Sequence, residues 1–371
     1  MTVSESALFK PIKVGNLELK HRVVLAPLTR LRNDEKHVPV DLMTEYYTQR
    51  STPGGLLIAE ATFISPMAGE YRGAPGLYSK EQIEAWKKVT AAVHEKDGYI
   101  YSQLWHVGRA TSSKLLPNNA TPVSASAVAI QGKNMLGEDY EVPRELSVEE
   151  IKQTIQDYAQ AAKNAIEAGF DGVEIHGANG YLIDQFINTS SNKRTDEYGG
   201  SIENRTRFCL EVVDAVVAAV GAERVGIRLS PWSEFQDMAD ETPYETWGYI
   251  ASQLQARHPN MAYLHFIEPR DDFSRKTKND TVNSLDPFRK AWKGPFISAG
   301  GYTTHPELAT KIADETGNLI AIGRAFIANP DIVERLKNGW PLNKYNRQTF
   351  YGGDHVGYTD YPFYDQTSSK I

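Results

Sequence analysis

Between residues 170 and 208 the chain reads FDGVEIHGANGYLIDQFINTSSNKRTDEYGGSIENRTRF, which brings His176, Asn179 and Tyr181 close together in sequence. Just upstream, Gly169 closes a long helical pattern, and the apolar run Gly172–Ile175 fits a buried parallel strand. A strand that delivers an imidazole, a carboxamide and a phenol to one rim marks a site rather than a scaffold. Each residue alone says little, since a lone strand-end histidine is more often a satisfied core group. Two further strand ends carry Gly300-Gly301 and Gly323-Arg324. Exposed backbone N–H groups at such glycines, next to a helix N-terminus, suit a phosphate, and Arg324 adds a charge-assisted contact. One such pair would read as a turn; both together imply a bound phosphate moiety. No lysine ends a strand, which argues against Schiff-base chemistry, and the rim has too few carboxylates for metal-dependent hydrolysis. The rim therefore offers hydrogen-bond donors and a phosphate cradle.

The elements that must position these groups are short apolar runs alternating with amphipathic helices from residue 22 to about 336. The strands are expected at Val23–Ala26, Leu56–Ala59, Tyr99–Leu104, Gly172–Ile175, Val225–Leu229, Ala262–Phe266, Pro295–Ala299 and Leu319–Ile322. Ser79 with Gln82, Ser147 with Glu150, Thr242 with Glu245 and Thr304 with Glu307 each fit a helix capping box. Pro243 and Pro330 fit a first helical turn. After Ser147, the residues Ile151, Ile155, Tyr158, Ala162 and Ile166 fall on one helical stripe. Eight such units imply an α/β fold, a closed (β/α)8 TIM barrel over residues 1–371 as a single domain. An open doubly wound sheet is the alternative, but no G-x-G-x-x-G follows the first strand, and Pro53-Gly54-Gly55 precedes a strand and reads as a turn.

Three segments stand outside the repeat. Lys13–Lys20, turning at Gly15-Asn16, reads as an N-terminal hairpin able to plug the barrel's bottom. Residues 109–144 form a long polar insertion after the third strand, expected to be a lid or substrate wall. The tail, residues 343–371, is rich in aromatic residues expected to pack.

Composition excludes several function classes. The 371 residues carry a net charge of −7, which provides no footprint for nucleic acid or an anionic membrane surface. No apolar run reaches the roughly 18 residues of a membrane helix, and the N-terminus has no signal-peptide pattern. Cys209 is the only cysteine, so a cysteine-held iron–sulfur cluster or zinc site is excluded, and its place in an amphipathic helix reads as core.

The stretch around His176, with TDEYGGSIENR behind it, closely resembles the old yellow enzyme family, the FMN-dependent ene-reductases. The resemblance runs from about Leu8 to Tyr364. It implies that Pro27 and Thr29, in HRVVLAPLTRLRN, meet the flavin ring; Thr29 resembles the yeast-type fungal branch. Ala61 and Gln103 (in QLW) would touch the isoalloxazine edge, and Arg228 (in GIRLSP) would stabilise the reduced flavin by its charge. Gly300, Gly301, Gly323 and Arg324 would take the FMN phosphate.

The family's reaction is the reduction of an activated C=C bond in an enone or enal, with NADPH or NADH as reductant. By this resemblance His176 and Asn179 bind the substrate carbonyl and Tyr181 protonates the α-carbon. Tyr71, Trp105, Phe235, Phe273 and Tyr351 resemble residues lining the substrate cavity. Gly301, where yeast members carry an amide, and His106 after Trp105 depart from the pattern. An isomerase on the same fold and a non-catalytic flavin-binding barrel are the alternatives. No metal is expected, and the chain is expected to be a monomer or homodimer. It is expected in the cytoplasm, with Ser369-Lys370-Ile371 close to a peroxisomal address.

Overall fold

In a computed structural model, residues 5–269 and 283–365 are described; Phe273 and the Ser369–Ile371 tripeptide lie outside them. An antiparallel hairpin comes first, β1 (Ile12–Val14) against β2 (Leu17–Leu19), with Val14 facing Leu17 across the turn. The eight expected strands follow, each within a few residues of its sequence bounds. They are β3 (Val23–Leu25), β4 (Leu56–Phe63) and β5 (Tyr99–Trp105); after a short parallel pair in the insertion, β6 (Val123–Ser124) with β7 (Arg144–Glu145), come β8 (Gly172–Gly177), β9 (Val225–Leu229), β10 (Tyr263–Ile267), β11 (Phe296–Ala299) and β12 (Leu319–Ile322). Strands β3, β4, β5, β8, β9, β10, β11 and β12 pair in that order, all parallel, and β12 closes on β3. The fold is a closed (β/α)8 barrel.

The covering helices are α1 (Asp41–Arg50), α2 (Lys80–His94), α3 (Val148–Glu167), α4 (Leu182–Ile187), α5 (Ile202–Val220), α6 (Pro243–Arg257), α7 (Asp286–Ala291), α8 (Glu307–Thr316), α9 (Arg324–Ala328) and α10 (Ile332–Asn338). Strand parity sorts their packing. Residues of one parity, among them Val24, Ile58, Tyr101, Tyr263 and Ile297, fill the barrel's interior. Val14, Leu17 and Leu19 of the hairpin join that interior cluster and seal its lower end, as the sequence suggests. The other parity packs outward against the helices, in a second core that includes Cys209.

Helix starts hold in part. Ser79 and Ser147 form full capping boxes with Gln82 and Glu150. Thr242 does not cap α6: its hydroxyl is drawn to the Asp240 carboxylate and to Thr246. Thr304 does not cap α8, which starts at Glu307 after Pro306; its hydroxyl donates to the Gly301 carbonyl instead. Pro243 opens α6 as expected, whereas Pro330 stands one residue before the Asp331 cap of α10. On α3 the expected stripe is buried at Ile151, Ile155, Tyr158 and Ala162, with Ile166 half-buried at the helix end.

Candidate active site

A cavity of about 620 Å³ opens at the C-terminal ends of the barrel strands, within the usual range for small-molecule sites. His176, near the end of β8, and Asn179 and Tyr181, just beyond it, all line it. His176 accepts a hydrogen bond from the Ala178 N–H at Nδ1 (3.4 Å), so the neutral ring carries its proton on Nε2 and is a donor there. Burial, reinforced by the Arg228 charge, holds this imidazole well below its usual pKa and keeps it neutral.

Asn179 adopts a left-handed backbone conformation (φ 58°), which a short polar side chain tolerates better than most. Two contacts hold it there. Its N–H donates to Ser230 Oγ (2.8 Å), and its carbonyl accepts from Gln236 Nε2 (3.0 Å). Next to it, the Gly180 N–H donates to Asp184 Oδ2 (2.8 Å), a wholly buried carboxyl whose other oxygen takes Asn188 Nδ2. Burial pushes the Asp184 pKa up to about 7. Tyr181 packs edge-on against both the His176 and Trp105 rings, each at 5.0 Å between centroids. Burial raises its phenol above the ordinary range, so it stays protonated.

The other expected residues fall mostly around the same space. Pro27, Thr29, Gln103, Arg228, Gly300, Gly301, Gly323 and Arg324 line the cavity, as do Tyr71, Trp105, Phe235 and Tyr351. Gly300 (φ 115°) and Gly301 (φ 78°) take positive φ, leaving the turn after β11 free of side chains where it borders the cavity. Ala61 is in register with Gln103 beyond a bulge in β4, but it is buried and is not among the residues lining the cavity. Tyr71 spends its hydroxyl on the Ala110 carbonyl (2.7 Å), which leaves only its ring to the cavity. His106 is buried, accepts from the Gly108 N–H at Nδ1, and is held by burial at a pKa of about 3. Its part is structural.

Sequence reading missed several wall residues. The insertion supplies Lys133, Asn134, Met135 and Tyr140 at the mouth, so it is a wall. The tail brings Arg347 and Phe350 beside the expected Tyr351. What holds the tail is a pair of buried guanidinium groups. Arg30 donates to the carbonyls of Phe350 (2.9 Å) and Gly357 (2.9 Å), and Arg32 to those of Thr349 (2.9 Å) and Asp354 (2.9 Å). Arg32 also covers the Tyr358 ring at 4.4 Å. Below the cavity, Glu174 and His265 sit inside strands read only as apolar runs. The available signal was parity: Glu174 is two residues from His176 on one strand and shares its interior face.

Residues 7–343 match the profile described as NADH:flavin oxidoreductase / NADH oxidase family. The chain is 51% identical over 364 residues to 12-oxophytodienoate reductase 1 of Oryza sativa subsp. japonica, covering 98% of this chain and 94% of that protein. It is 49% identical to the flavin oxidoreductase hxnT of Emericella nidulans, covering 96% and 97%. Morphinone reductase superposes with a TM-score of 0.91 at 43% identity, covering 100% of both chains, and its complex with tetrahydroNAD with a TM-score of 0.89. Plant and fungal proteins stand at similar identity, so these relatives do not single out the yeast-type branch.

Proposed function

The chain belongs to the NADH:flavin oxidoreductase / NADH oxidase family, that of old yellow enzyme, and on that premise we propose that it reduces the C=C bond of α,β-unsaturated aldehydes and ketones. It is an FMN-dependent, NAD(P)H-linked oxidoreductase. The residues present fit FMN. Glycines at the ends of β11 and β12, with Arg324, border one part of the cavity and suit a phosphate. The Gln103 amide and the Arg228 guanidinium supply the polar edge and positive charge that a flavin pyrimidine ring takes. Bound FMN supplies the hydride chemistry, between NADPH or NADH and the β-carbon of the alkene.

The observation that carries the reading is the donor pair at the end of β8. His176 offers its Nε2–H, and the Asn179 side-chain amide lines the same cavity with no hydrogen bond to another described residue. A carbonyl oxygen held by both gains stabilisation as it takes on negative charge, which draws electrons from the conjugated alkene. Tyr181 keeps its proton at neutral pH and sits against the His176 ring, which supports its reading as the group that gives a proton to the α-carbon. Trp105 and Tyr71, tilted at 5.1 Å, wall the space beside it.

The test is a visible spectrum of the purified protein under anaerobic conditions, with NADPH and then cyclohexenone added. A flavin band that bleaches with NADPH and returns with the enone is the expected result. No flavin band after incubation with FMN would refute the cofactor assignment. A band that bleaches but is not restored by any enone or enal would refute the substrate class.

A further inference from the structure

Among the described residues, the barrel interior holds a fully buried carboxylate, Glu174, at the level just beneath the cavity. Its two oxygens are both committed. Oε1 accepts from Gln103 Nε2 (2.8 Å) and Oε2 from His265 Nδ1 (2.8 Å), with all three side chains almost wholly buried. Burial drives the His265 pKa down, so its ring is neutral and carries its proton on Nδ1; Nε2 has no hydrogen-bond partner among the described residues. An acceptor-only carboxylate at the Gln103 nitrogen leaves no choice of amide orientation. The NH2 group points down to Glu174 and the carbonyl oxygen is left for the cavity that Gln103 lines.

Strand register places a cation one step higher. Arg228 is level with His176 on one side and His265 on the other, and all of them share the interior face with Glu174. A buried negative charge here is costly unless something requires it. A neutral glutamine fills the same volume and keeps both contacts, with its oxygen toward Gln103 and its NH2 toward His265, whose ring proton then moves to Nε2; what it lacks is the negative charge.

We propose that Glu174 is a positioning residue for the flavin site: it locks Gln103 with its oxygen toward the cofactor's pyrimidine edge and tempers the positive charge of Arg228 there. The inference rests on the FMN reading above. Two separable effects follow. The fixed amide oxygen favours FMN over ligands that lack an N–H at that edge. The negative charge opposes the extra electron density of reduced FMN and so holds the midpoint potential of the bound cofactor down.

The experiment uses the full-length protein, stripped of cofactor and titrated with FMN, followed by spectroelectrochemistry. Glu174→Gln removes the charge, so reduced FMN is expected to gain at least tenfold in affinity relative to oxidised FMN. For a two-electron couple that is a rise in potential of about 30 mV. Glu174→Asp keeps the charge but draws the carboxylate back from Gln103. It is expected to weaken FMN binding at least tenfold while leaving the potential at the wild-type value. A purely structural role would lower affinity in both variants and leave both potentials unchanged, which overturns the proposal. If Glu174→Gln does not fold, wild-type FMN affinity in Glu174→Asp overturns it alone. Failure of the wild-type protein to bind FMN would instead remove the cofactor reading, and this inference with it.

Discussion

Replacing Asp184 by alanine tests how the loop bearing Asn179 and Tyr181 is held. The carboxyl is wholly buried and accepts from the Gly180 N–H and Asn188 Nδ2, both at 2.8 Å, with Ser230 Oγ at 3.5 Å. Asn188 keeps a second acceptor in the Asp184 carbonyl, but the Gly180 N–H loses its only partner among the described residues. An unsatisfied buried donor costs about 1–3 kcal/mol, and the lost Asn188 contact adds roughly 1 kcal/mol.

The cost depends on pH. Burial raises the Asp184 pKa from 3.8 to about 7, so between those values the folded protein holds a proton that the unfolded chain has released. The stability tied to this carboxyl is therefore complete below about pH 4 and is lost as pH rises through 7. A shift of about 3 units corresponds to about 4 kcal/mol, of which roughly 3 kcal/mol is lost between pH 5 and 8. Urea unfolding of both proteins, followed by tryptophan fluorescence at intervals across that range, measures the difference. Glu60, also raised to about 7 by burial, titrates in both proteins and cancels. The Asp184→Ala penalty is expected to be largest at pH 5 and to shrink by about 3 kcal/mol by pH 8. A penalty that is constant or growing with pH would refute the reasoning.

Tyr181→Phe removes the proton source; alkene reduction is expected to fall by about 10²–10⁴-fold while reduction of the flavin by NADPH is spared, and stopped-flow half-reactions separate the two. Arg32→Ala removes the donor to Thr349 and Asp354 and the cover on Tyr358, so limited proteolysis should cut the 347–358 segment faster than in wild type, and stability should fall by about 2–4 kcal/mol. Cys209 is fully buried, and burial pushes its thiol pKa up to about 12, so a thiol reagent at pH 8 should label the unfolded protein and leave the native one untouched. Gly169 (φ 86°) ends α3, with Phe170 N–H bonded to the Ala165 carbonyl; a Cβ there would lie 2.6 Å from Thr90 Oγ1. Gly169→Ala should cost at least about 1–2 kcal/mol in urea unfolding, and an unchanged midpoint would contradict the strain argument.

The sequence by itself determined the eight strands, their parallel order, the hairpin plug and the rim position of His176, Asn179 and Tyr181. These are readable because periodicity, helix stops and strand ends are properties of contiguous residues. Tertiary structure alone decided the rest. Thr242 and Thr304 match the capping pattern, but the competing partners Asp240 and the Gly301 carbonyl win their hydroxyls. Arg30 meets Phe350, 320 residues away in the chain, and so makes the tail a cavity wall. Glu174, Gln103 and His265 come from β8, β5 and β10, and no spacing between them announces a cluster. Closing a barrel brings residues of one parity from distant strands onto one interior level, and only that closure decides which buried charge finds which partner.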